Sequence, residues 1–173
     1  MAAVDLRSKI RDVPDFPTPG IVFKDTMPLL ADARAFSQLV DELAAWADDR
    51  GPDVVLGAEA RGFITGAALA YKLGCGFIPA RKPGKLPRET VSAEYVLEYG
   101  VDSLHMQADA FREGARVLVH DDVLATGGTA RATVELVERL GGVVVGVLFI
   151  VSLEFLNGRQ KLAEHDVHAL IEY

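Results

Sequence analysis

The residues from Val117 to Thr129 combine two carboxylates with a glycine-rich turn, in a spacing that suits a sugar phosphate. An apolar run, Val117–Val119, precedes Asp121 and Asp122, and a Thr/Gly turn then opens an amphipathic helix. In an open α/β sheet, ligands bind beyond the carboxyl ends of the strands. Adjacent carboxylates there can accept hydrogen bonds from neighbouring sugar hydroxyls, and the amides at the helix N-terminus favour an anion. The pattern therefore indicates a receptor for ribose 5-phosphate.

Other interpretations of this stretch have weaker support. A Walker A loop needs a lysine after its last glycine, and none follows Gly128. A dinucleotide-binding turn needs Gly-x-Gly-x-x-Gly, which the turn lacks. A solvated Asp-Asp turn, followed by an ordinary helix N-cap at Thr126 or Thr129, stays open as an alternative.

Arg61 is a second candidate for anion binding. It follows an apolar strand that ends near Ala58, so it lies at the same sheet edge as Asp121. A guanidinium can hold phosphate or pyrophosphate oxygens in a bidentate fork. The alternative is a structural ion pair between Arg61 and Glu59.

The histidines are not candidates for chemistry. His165 and His168 are not accompanied by a cluster of further metal ligands. We expect His120 to be packed or hydrogen-bonded rather than catalytic.

The elements that must position these residues are predicted from the apolar periodicity. Helices are predicted at Val4–Arg11, Asp32–Asp49, Gly62–Leu73, Gly128–Leu140 and Leu156–Glu164. Strands are predicted at Asp53–Ala58, Phe77–Ala80, Arg116–Asp121, Val143–Ile150 and Val167–Ile171. This alternation predicts an α/β fold with a central, mostly parallel, twisted sheet flanked by helices.

The span from Arg81 to Gly114 interrupts the alternation. Val91–Tyr99 alternates as a protruding strand would, and Leu104–Gln107 is placed to pair with it as a hairpin. Long connections in a compact domain are usually functional or mobile. Since four basic residues begin the span (Arg81, Lys82, Lys85 and Arg88), we interpret it as a lid over an anion site. An ordinary solvated loop is the alternative.

The composition indicates one acidic globular domain over residues 1–173. The net charge of −7 argues against binding to nucleic acid or to an anionic membrane. No apolar run reaches transmembrane length, and we expect no secretory leader. The single cysteine, Cys75, forms no internal disulfide, which favours a cytoplasmic location.

Five segments together resemble the adenine phosphoribosyltransferases, members of the type I phosphoribosyltransferase family, in their bacterial form. These segments are Pro17–Asp25, Glu59–Phe63, Arg81–Pro87, Leu97–Gly100 and the signature at Asp121–Thr129. The Phe-Pro-x-Pro-Gly-x-x-Phe-Lys-Asp pattern at Phe16–Asp25 separates this family from the hypoxanthine-guanine and orotate enzymes. The resemblance covers nearly the whole chain and implies the type I fold, with a flexible hood over residues 81–107 and a base-recognition segment over residues 1–30.

The resemblance also implies individual roles. Asp121 and Asp122 would hold the ribose hydroxyls of 5-phosphoribosyl 1-pyrophosphate (PRPP). The 5′-phosphate would be wrapped by Ala125, Thr126, Gly127, Gly128 and Thr129. Pyrophosphate would face Arg61, Lys82 and Lys85, with Arg81 reaching across a dimer interface. Adenine would be read by the backbone of Val22 and Lys24, with Phe23 and Leu153 beside the ring. The candidate catalytic residues are Arg61 and the hood residues Glu98 and Tyr99.

The implied function is purine salvage by a pentosyltransferase, which converts adenine and PRPP to AMP and pyrophosphate. Mg²⁺ would be the cofactor, held mainly by PRPP and water rather than by dedicated protein ligands. The resemblance and the general prevalence of two-fold assemblies favour a homodimer. Two alternatives stay open: a transferase for hypoxanthine or guanine, and a noncatalytic PRPP- or purine-sensing regulator.

Overall fold

A five-stranded parallel sheet forms the centre of the fold. The computed structural model describes residues 3–97 and 100–173. The elements are β1 (Arg11–Pro14), β2 (Val22–Asp25), α1 (Met27–Ala31), α2 (Ala33–Ala47), β3 (Val54–Ala58), α3 (Gly62–Leu73), β4 (Gly76–Ala80), β5 (Thr90–Leu97), β6 (Gly100–Gln107), β7 (Arg116–Leu124), α4 (Gly128–Arg139), β8 (Val143–Ser152) and β9 (Val167–Glu172). The central sheet has the order β4-β3-β7-β8-β9 with parallel pairing throughout. The predicted α/β fold with a parallel sheet is confirmed.

Both faces of the sheet are covered, which explains its uninterrupted apolar strands. On one face, Val119 and Phe149 pack in a cluster with Leu136 of α4. On the other face, Leu118 packs in a cluster that includes Leu43 of α2. Successive residues of β7 therefore enter opposite cores, and the strand is fixed from both sides at the point where it carries the two aspartates.

The predicted hairpin is present as β5 paired antiparallel with β6. It is joined to the end of β4 by a two-way backbone pairing between Arg81 and His105. Leu104 and Met106 of β6 are fully buried in the cluster that contains α4. The base of the hairpin therefore belongs to the core, whereas Glu98 and Tyr99 lie outside the described residues.

Two predicted helices are wrong. Only a 3-10 turn at Arg7–Lys9 forms in the Val4–Arg11 region, because the chain then extends into β1, which pairs antiparallel with β2. The Leu156–Glu164 region holds two 3-10 turns, Glu154–Leu156 and Gly158–Leu162. Asn157 adopts a left-handed conformation (φ 54°) between them, which ends regular helix there.

The third predicted strand is longer than expected. β7 continues to Leu124, so Asp121 and Asp122 lie within the strand rather than at its end. The continued pairing of Val123 and Leu124 with β8 holds this extension. Among the described residues, no helix has the length and apolar character needed to cross a bilayer.

Candidate active site

A cavity of about 580 Å³ lies beside the carboxyl-terminal parts of β3, β7 and β8, and the β1–β2 hairpin closes one side. Most of the residues predicted for the site line it: Val22, Phe23, Lys24, Arg61, Lys82, Asp121, Asp122, Ala125, Thr126, Thr129 and Leu153. Residues that are up to 131 positions apart in the chain thus meet at one sheet edge, as expected for an open α/β sheet.

The two aspartates have different surroundings. Asp122 is only 3% exposed, forms an ion pair with Arg61 and lies 3.4 Å from the hydroxyl of Thr26. The carboxylate of Asp121 accepts the Asp122 amide at 2.8 Å. Burial, and then the neighbouring Asp122 carboxylate, raise the pKa of Asp121 well above its usual value. Two adjacent acceptors therefore face the cavity, and Asp122 already has a cationic partner.

Gly62 makes room for this pair. A Cβ atom at position 62 would lie 2.9 Å from Oδ1 of Asp121 and 3.2 Å from its Cα. The first turn of α3 therefore packs directly against β7, because residue 62 has no side chain. This close approach brings Arg61, the residue before α3, next to the aspartates.

Arg61 does not pair with Glu59, so that alternative interpretation is wrong. Glu59 instead accepts the amide of Lys82 at 2.8 Å and the guanidinium of Arg81 at 3.2 Å. The hydrogen bond from the Lys82 amide is the main cause of a lowered pKa at Glu59. The guanidinium of Arg61 lies 5.0 Å from the ring centre of Phe23, so Arg61 connects the aspartate pair to β2.

Lys82 is held by two hood residues that the sequence analysis did not identify. Its ammonium donates to Asp102 at 2.5 Å and to the hydroxyl of Tyr95, and these two residues are directly opposite each other in the hairpin. Burial lowers the pKa of Lys82, but its hydrogen bonds to Asp102 and Tyr95 outweigh this and raise it. Lys82 is therefore charged, and the hydrogen bonds orient its ammonium at the cavity wall. The regular alternation of β5 was the available signal for Tyr95, since it places every second side chain on one face.

The turn before α4 has the character of an anion site. α4 begins after Gly127, which has φ 77° and no side-chain cap, so the predicted alternative of an ordinary cap at Thr126 or Thr129 is wrong. The first amides of a helix have no intrahelical acceptor and need an external partner. Thr126 and Thr129 line the cavity, so this turn combines hydroxyls with the helix-start amides that favour an anion.

The opposite end of the cavity is mainly apolar. Phe23 packs edge-on against Phe16, with ring centres 5.2 Å apart, and Leu153 also lines the cavity. The ammonium of Lys24 binds Asp12 at 2.7 Å and lies 4.0 Å from the ring centre of Tyr173. The side chain of Lys24 is thus occupied by Asp12 and Tyr173. Lys24 is therefore left to contribute its backbone, as part of β2, to this end of the cavity.

His120 is buried and hydrogen-bonded, as predicted. Its Nε2 lies 2.7 Å from the hydroxyl of Thr65 and its Nδ1 2.9 Å from the carbonyl of Leu148. Burial lowers the pKa of His120 to about 4, so the ring is neutral at pH 7. A neutral ring that donates from Nδ1 and accepts at Nε2 satisfies both contacts. His120 therefore links β7 to α3 and β8 directly behind the aspartates.

Comparison with known proteins identifies the family. The phosphoribosyl transferase domain model matches residues 29–170. The adenine phosphoribosyltransferase of Thermotoga neapolitana is 54% identical over 170 residues, which are 98% of this chain and 100% of that protein. The chain belongs to the adenine phosphoribosyltransferases.

Two crystal structures support the same assignment. The adenine phosphoribosyltransferase of Thermoanaerobacter pseudethanolicus has a TM-score of 0.95 and 52% identity, covering 98% of both chains. The Saccharomyces cerevisiae enzyme, complexed with D-2,5-dideoxy-2,5-imino-altritol 1,6-bisphosphate and adenine, has a TM-score of 0.93 and 39% identity over 96% of each chain.

Not every residue predicted from the adenine phosphoribosyltransferase pattern meets the cavity. Arg81 and Lys85 are outside its lining, and the guanidinium of Arg81 contacts Glu59 and the carbonyl of Lys85. Gly127 and Gly128 contribute backbone at the start of α4. The predicted catalytic residues Glu98 and Tyr99 lie outside the described residues.

The donor set in the described part of the chain fits a magnesium ion that is bound chiefly by substrate. No group of three or more His, Cys, Asp or Glu side chains within residues 3–97 and 100–173 could hold a metal ion. The acidic residues of the cavity are Asp121, Asp122 and Glu59, and the last two are already paired with arginines. Mg²⁺ keeps most of its waters and accepts phosphate oxygens, so such a site suffices for it.

Proposed function

We propose that the chain transfers the 5-phosphoribosyl group of PRPP to N9 of adenine, forming AMP and pyrophosphate in purine salvage. The observation that carries this proposal is one cavity that combines an aspartate pair, an uncapped helix start, two cations and an apolar end. The 54% identity to an adenine enzyme favours adenine over hypoxanthine or guanine. A noncatalytic regulator has no comparable support.

The aspartate pair would bind the ribose. Asp121 and Asp122 would accept hydrogen bonds from the 2′ and 3′ hydroxyls, while residues 125–129 would hold the 5′-phosphate through amides and hydroxyls. In the free protein Asp122 is bound by Arg61. PRPP supplies hydroxyls for the carboxylate and pyrophosphate for the guanidinium, so both groups would exchange a protein partner for a substrate partner.

The cations would stabilise the leaving group. Arg61 and Lys82 already face the cavity, and Lys85 would join them when the hood closes. Arg81 would act across a dimer interface, which agrees with its position outside the cavity of its own chain. A magnesium ion would be held mainly by PRPP and water, and the chemistry it would supply is neutralisation of charge on the pyrophosphate group.

Adenine would lie between Phe23 and Leu153, with the backbone of Val22 and Lys24 reading its edge. The C1′–O bond to pyrophosphate breaks with its electron pair on the leaving oxygen, the N9–C1′ bond forms on the opposite face, and the proton on N9 passes to solvent. The protein's part is to position the reactants and to stabilise developing charge. Glu98 and Tyr99 of the hood would cover the base, with Glu98 assisting the proton movement.

We further propose that residues 1–173 act as one domain, with residues 1–30 recognising the base and residues 81–107 closing as a hood that excludes water. A homodimer is the proposed assembly. The acidic charge and single cysteine favour action in the cytoplasm.

A panel of bases tests the proposed function. Adenine, hypoxanthine and guanine are each incubated with PRPP and Mg²⁺, and nucleotide and pyrophosphate are quantified. We expect AMP and pyrophosphate in equal amounts from adenine, and loss of turnover when EDTA removes the metal. Robust turnover of hypoxanthine with none of adenine would refute the assignment.

A further inference from the structure

The segment Asn157–Leu162 contacts the phosphate loop, residues Ala125–Thr129, backbone against backbone. A Cβ atom at Gly158 would lie 2.2 Å from the carbonyl oxygen of Ala125 and 3.0 Å from the amide nitrogen of Gly127. Reciprocally, a Cβ atom at Gly127 would lie 2.5 Å from the carbonyl oxygen of Gly158. Only glycine at both positions permits this approach.

The segment is fixed to the sheet without help from a ligand. Arg159 donates to Glu154 at 2.9 Å, to Glu172 at 2.5 Å and to the carbonyl of Val167 at 3.0 Å. Leu162 is 1% exposed and belongs to the core cluster that covers α4. Gly158 is therefore held in place by its neighbours, and the phosphate loop packs directly against it.

We propose that Gly158 is a positioning residue for the reaction, holding the phosphate loop so that its amides meet the 5′-phosphate. This inference rests on the proposed function, because Gly158 would support the phosphate site that the proposed function requires. The chain just before Gly158 also supplies Leu153 and Leu156 to the cavity wall. One short segment thus sets the distance between the apolar end and the phosphate loop.

A methyl group at position 158 would act selectively. Its nearest neighbours are backbone atoms of the phosphate loop, which cannot rotate away as a flexible side chain can. The aspartates lie upstream in β7, where pairing with β8 continues as far as Leu124. The loop would therefore move while the aspartates stay, and a misplacement of about 1 Å at a reacting group can cost about 100-fold in rate.

The comparison of AMP with adenosine isolates the phosphate contribution, because the two ligands differ only in the 5′-phosphate. Calorimetry on the whole protein gives both dissociation constants for the wild type and for Gly158→Ala. We expect the AMP constant to rise about tenfold or more and the adenosine constant to change less than about twofold. The KM for PRPP should rise while the KM for adenine stays within about twofold.

Gly146→Ala is the matched control. Gly146 is also buried, and a Cβ atom there would lie 2.8 Å from the Trp46 ring, but this glycine is paired with Leu118, three residues before the aspartates. We expect this variant to lose stability and to keep the wild-type preference for AMP. An equal loss of AMP and adenosine binding in folded Gly158→Ala, or an unchanged preference, would overturn the proposal.

If Gly158→Ala does not fold, the variant Arg159→Gln tests the proposal instead. Arg159 is outside the cavity lining, and its loss loosens the segment without adding an atom near the loop. The preference for AMP should then fall in the same direction, and an unchanged preference would overturn the proposal. Failure of the proposed function is a separate result, since it would appear as a wild-type protein that forms no AMP from adenine and PRPP.

Discussion

The ion pair between Arg61 and Asp122 shows how the free site satisfies its own charges. Asp122 is almost completely buried, and a buried carboxylate without a partner carries a large desolvation cost. Arg61 supplies the opposite charge, and its guanidinium also faces the ring of Phe23. Since both groups are proposed substrate ligands, binding of PRPP would give the carboxylate hydroxyl donors and would give the guanidinium a pyrophosphate partner.

The substitution Asp122→Asn should weaken PRPP binding. The neutral amide accepts a weaker hydrogen bond from a hydroxyl and leaves Arg61 without its counter-charge. Loss of a charge-assisted bond is worth about 1.5–3 kcal/mol, or roughly 10- to 150-fold in the PRPP dissociation constant. Direct binding measurements test this, with Asp41→Asn as the control because Asp41 pairs with Lys72 on the surface. Unchanged PRPP affinity in a folded Asp122→Asn protein would contradict the assignment.

Asp102 offers a second test among the residues. It orients the ammonium of Lys82, so Asp102→Asn should raise the KM for PRPP by roughly 3- to 10-fold and leave the KM for adenine unchanged. Asp109→Asn is the matched control, since Asp109 pairs with Arg88, a hood residue outside the cavity lining, whereas Asp102 pairs with Lys82, which lines the cavity. Steady-state kinetics give the KM for PRPP of both variants. If the two variants have the same KM for PRPP, the hydrogen bond to Asp102 does not contribute to the function of Lys82.

At the level of elements, the sequence predicted the parallel sheet because buried strands and amphipathic helices have distinct periods. The helix Gly62–Leu73 was predicted with its observed bounds, and β3, β4, β8 and β9 differ by one or two residues at an end. The β1–β2 hairpin was missed, because Val22–Asp25 is short and its partner lies across a proline-rich turn. The prediction of a Leu156–Glu164 helix was wrong. The backbone at Asn157 and Gly158 packs closely against the phosphate loop, and this contact between distant parts of the chain is not visible in the local sequence.

The site divides in the same way. Short sequence motifs contain the aspartates, the phosphate turn and Arg61. The residue types and spacing within these motifs were therefore enough to identify them. Thr26, Tyr95 and Asp102 enter through contacts between distant elements, which a single sequence does not display. The pairing of Arg61 with Asp122 rather than with the adjacent Glu59 is of the same kind, because it depends on how α3 packs against β7.

His120 should make the junction of β7, α3 and β8 sensitive to acid. Its pKa is about 4 in the folded protein and about 6.5 when unfolded, so the unfolded chain binds more protons between these values. The stabilisation from the neutral ring is complete above pH 6.5 and is lost as the pH falls toward 4, by about 1.4 kcal/mol per pH unit. Between pH 7.5 and pH 5 the wild type should therefore lose about 2 kcal/mol through this group.

Urea unfolding of the wild type and of His120→Leu at these two pH values tests the histidine. The variant keeps an apolar side chain between the sheet and α3 but has no ring to protonate, so its loss of stability should be smaller by about 2 kcal/mol. Titrating groups that do not interact with His120 act in both proteins and cancel in the comparison. Equal losses in the two proteins would show that His120 does not carry the acid sensitivity.

At the scale of the whole molecule, the outer side of α3 carries two exposed apolar side chains. Tyr71 is 89% exposed and Ile64 is 46% exposed, and they lie two helical turns apart on the same side. The neighbouring β4 is the edge strand of the sheet, and it leads directly to Arg81. An apolar helix face next to a sheet edge suits a self-complementary two-fold interface, and such an interface would bring Arg81 toward the partner's cavity.

The double substitution Ile64→Glu and Tyr71→Glu should therefore convert a dimer into a monomer. Four like charges would meet at the two-fold axis, and each would lose solvent on association, whereas the isolated domain would tolerate them because both side chains are exposed in it. Light scattering during gel filtration at micromolar concentration measures the mass, and Val143→Glu is the control, since Val143 is 50% exposed at the start of β8, away from this face. If Arg81 acts in the partner's site, the monomer should also lose at least about tenfold in kcat/KM for PRPP, because one charge-assisted contact to pyrophosphate is missing. A wild type that is monomeric and fully active, or a charged variant that stays dimeric, would place the interface elsewhere or remove it.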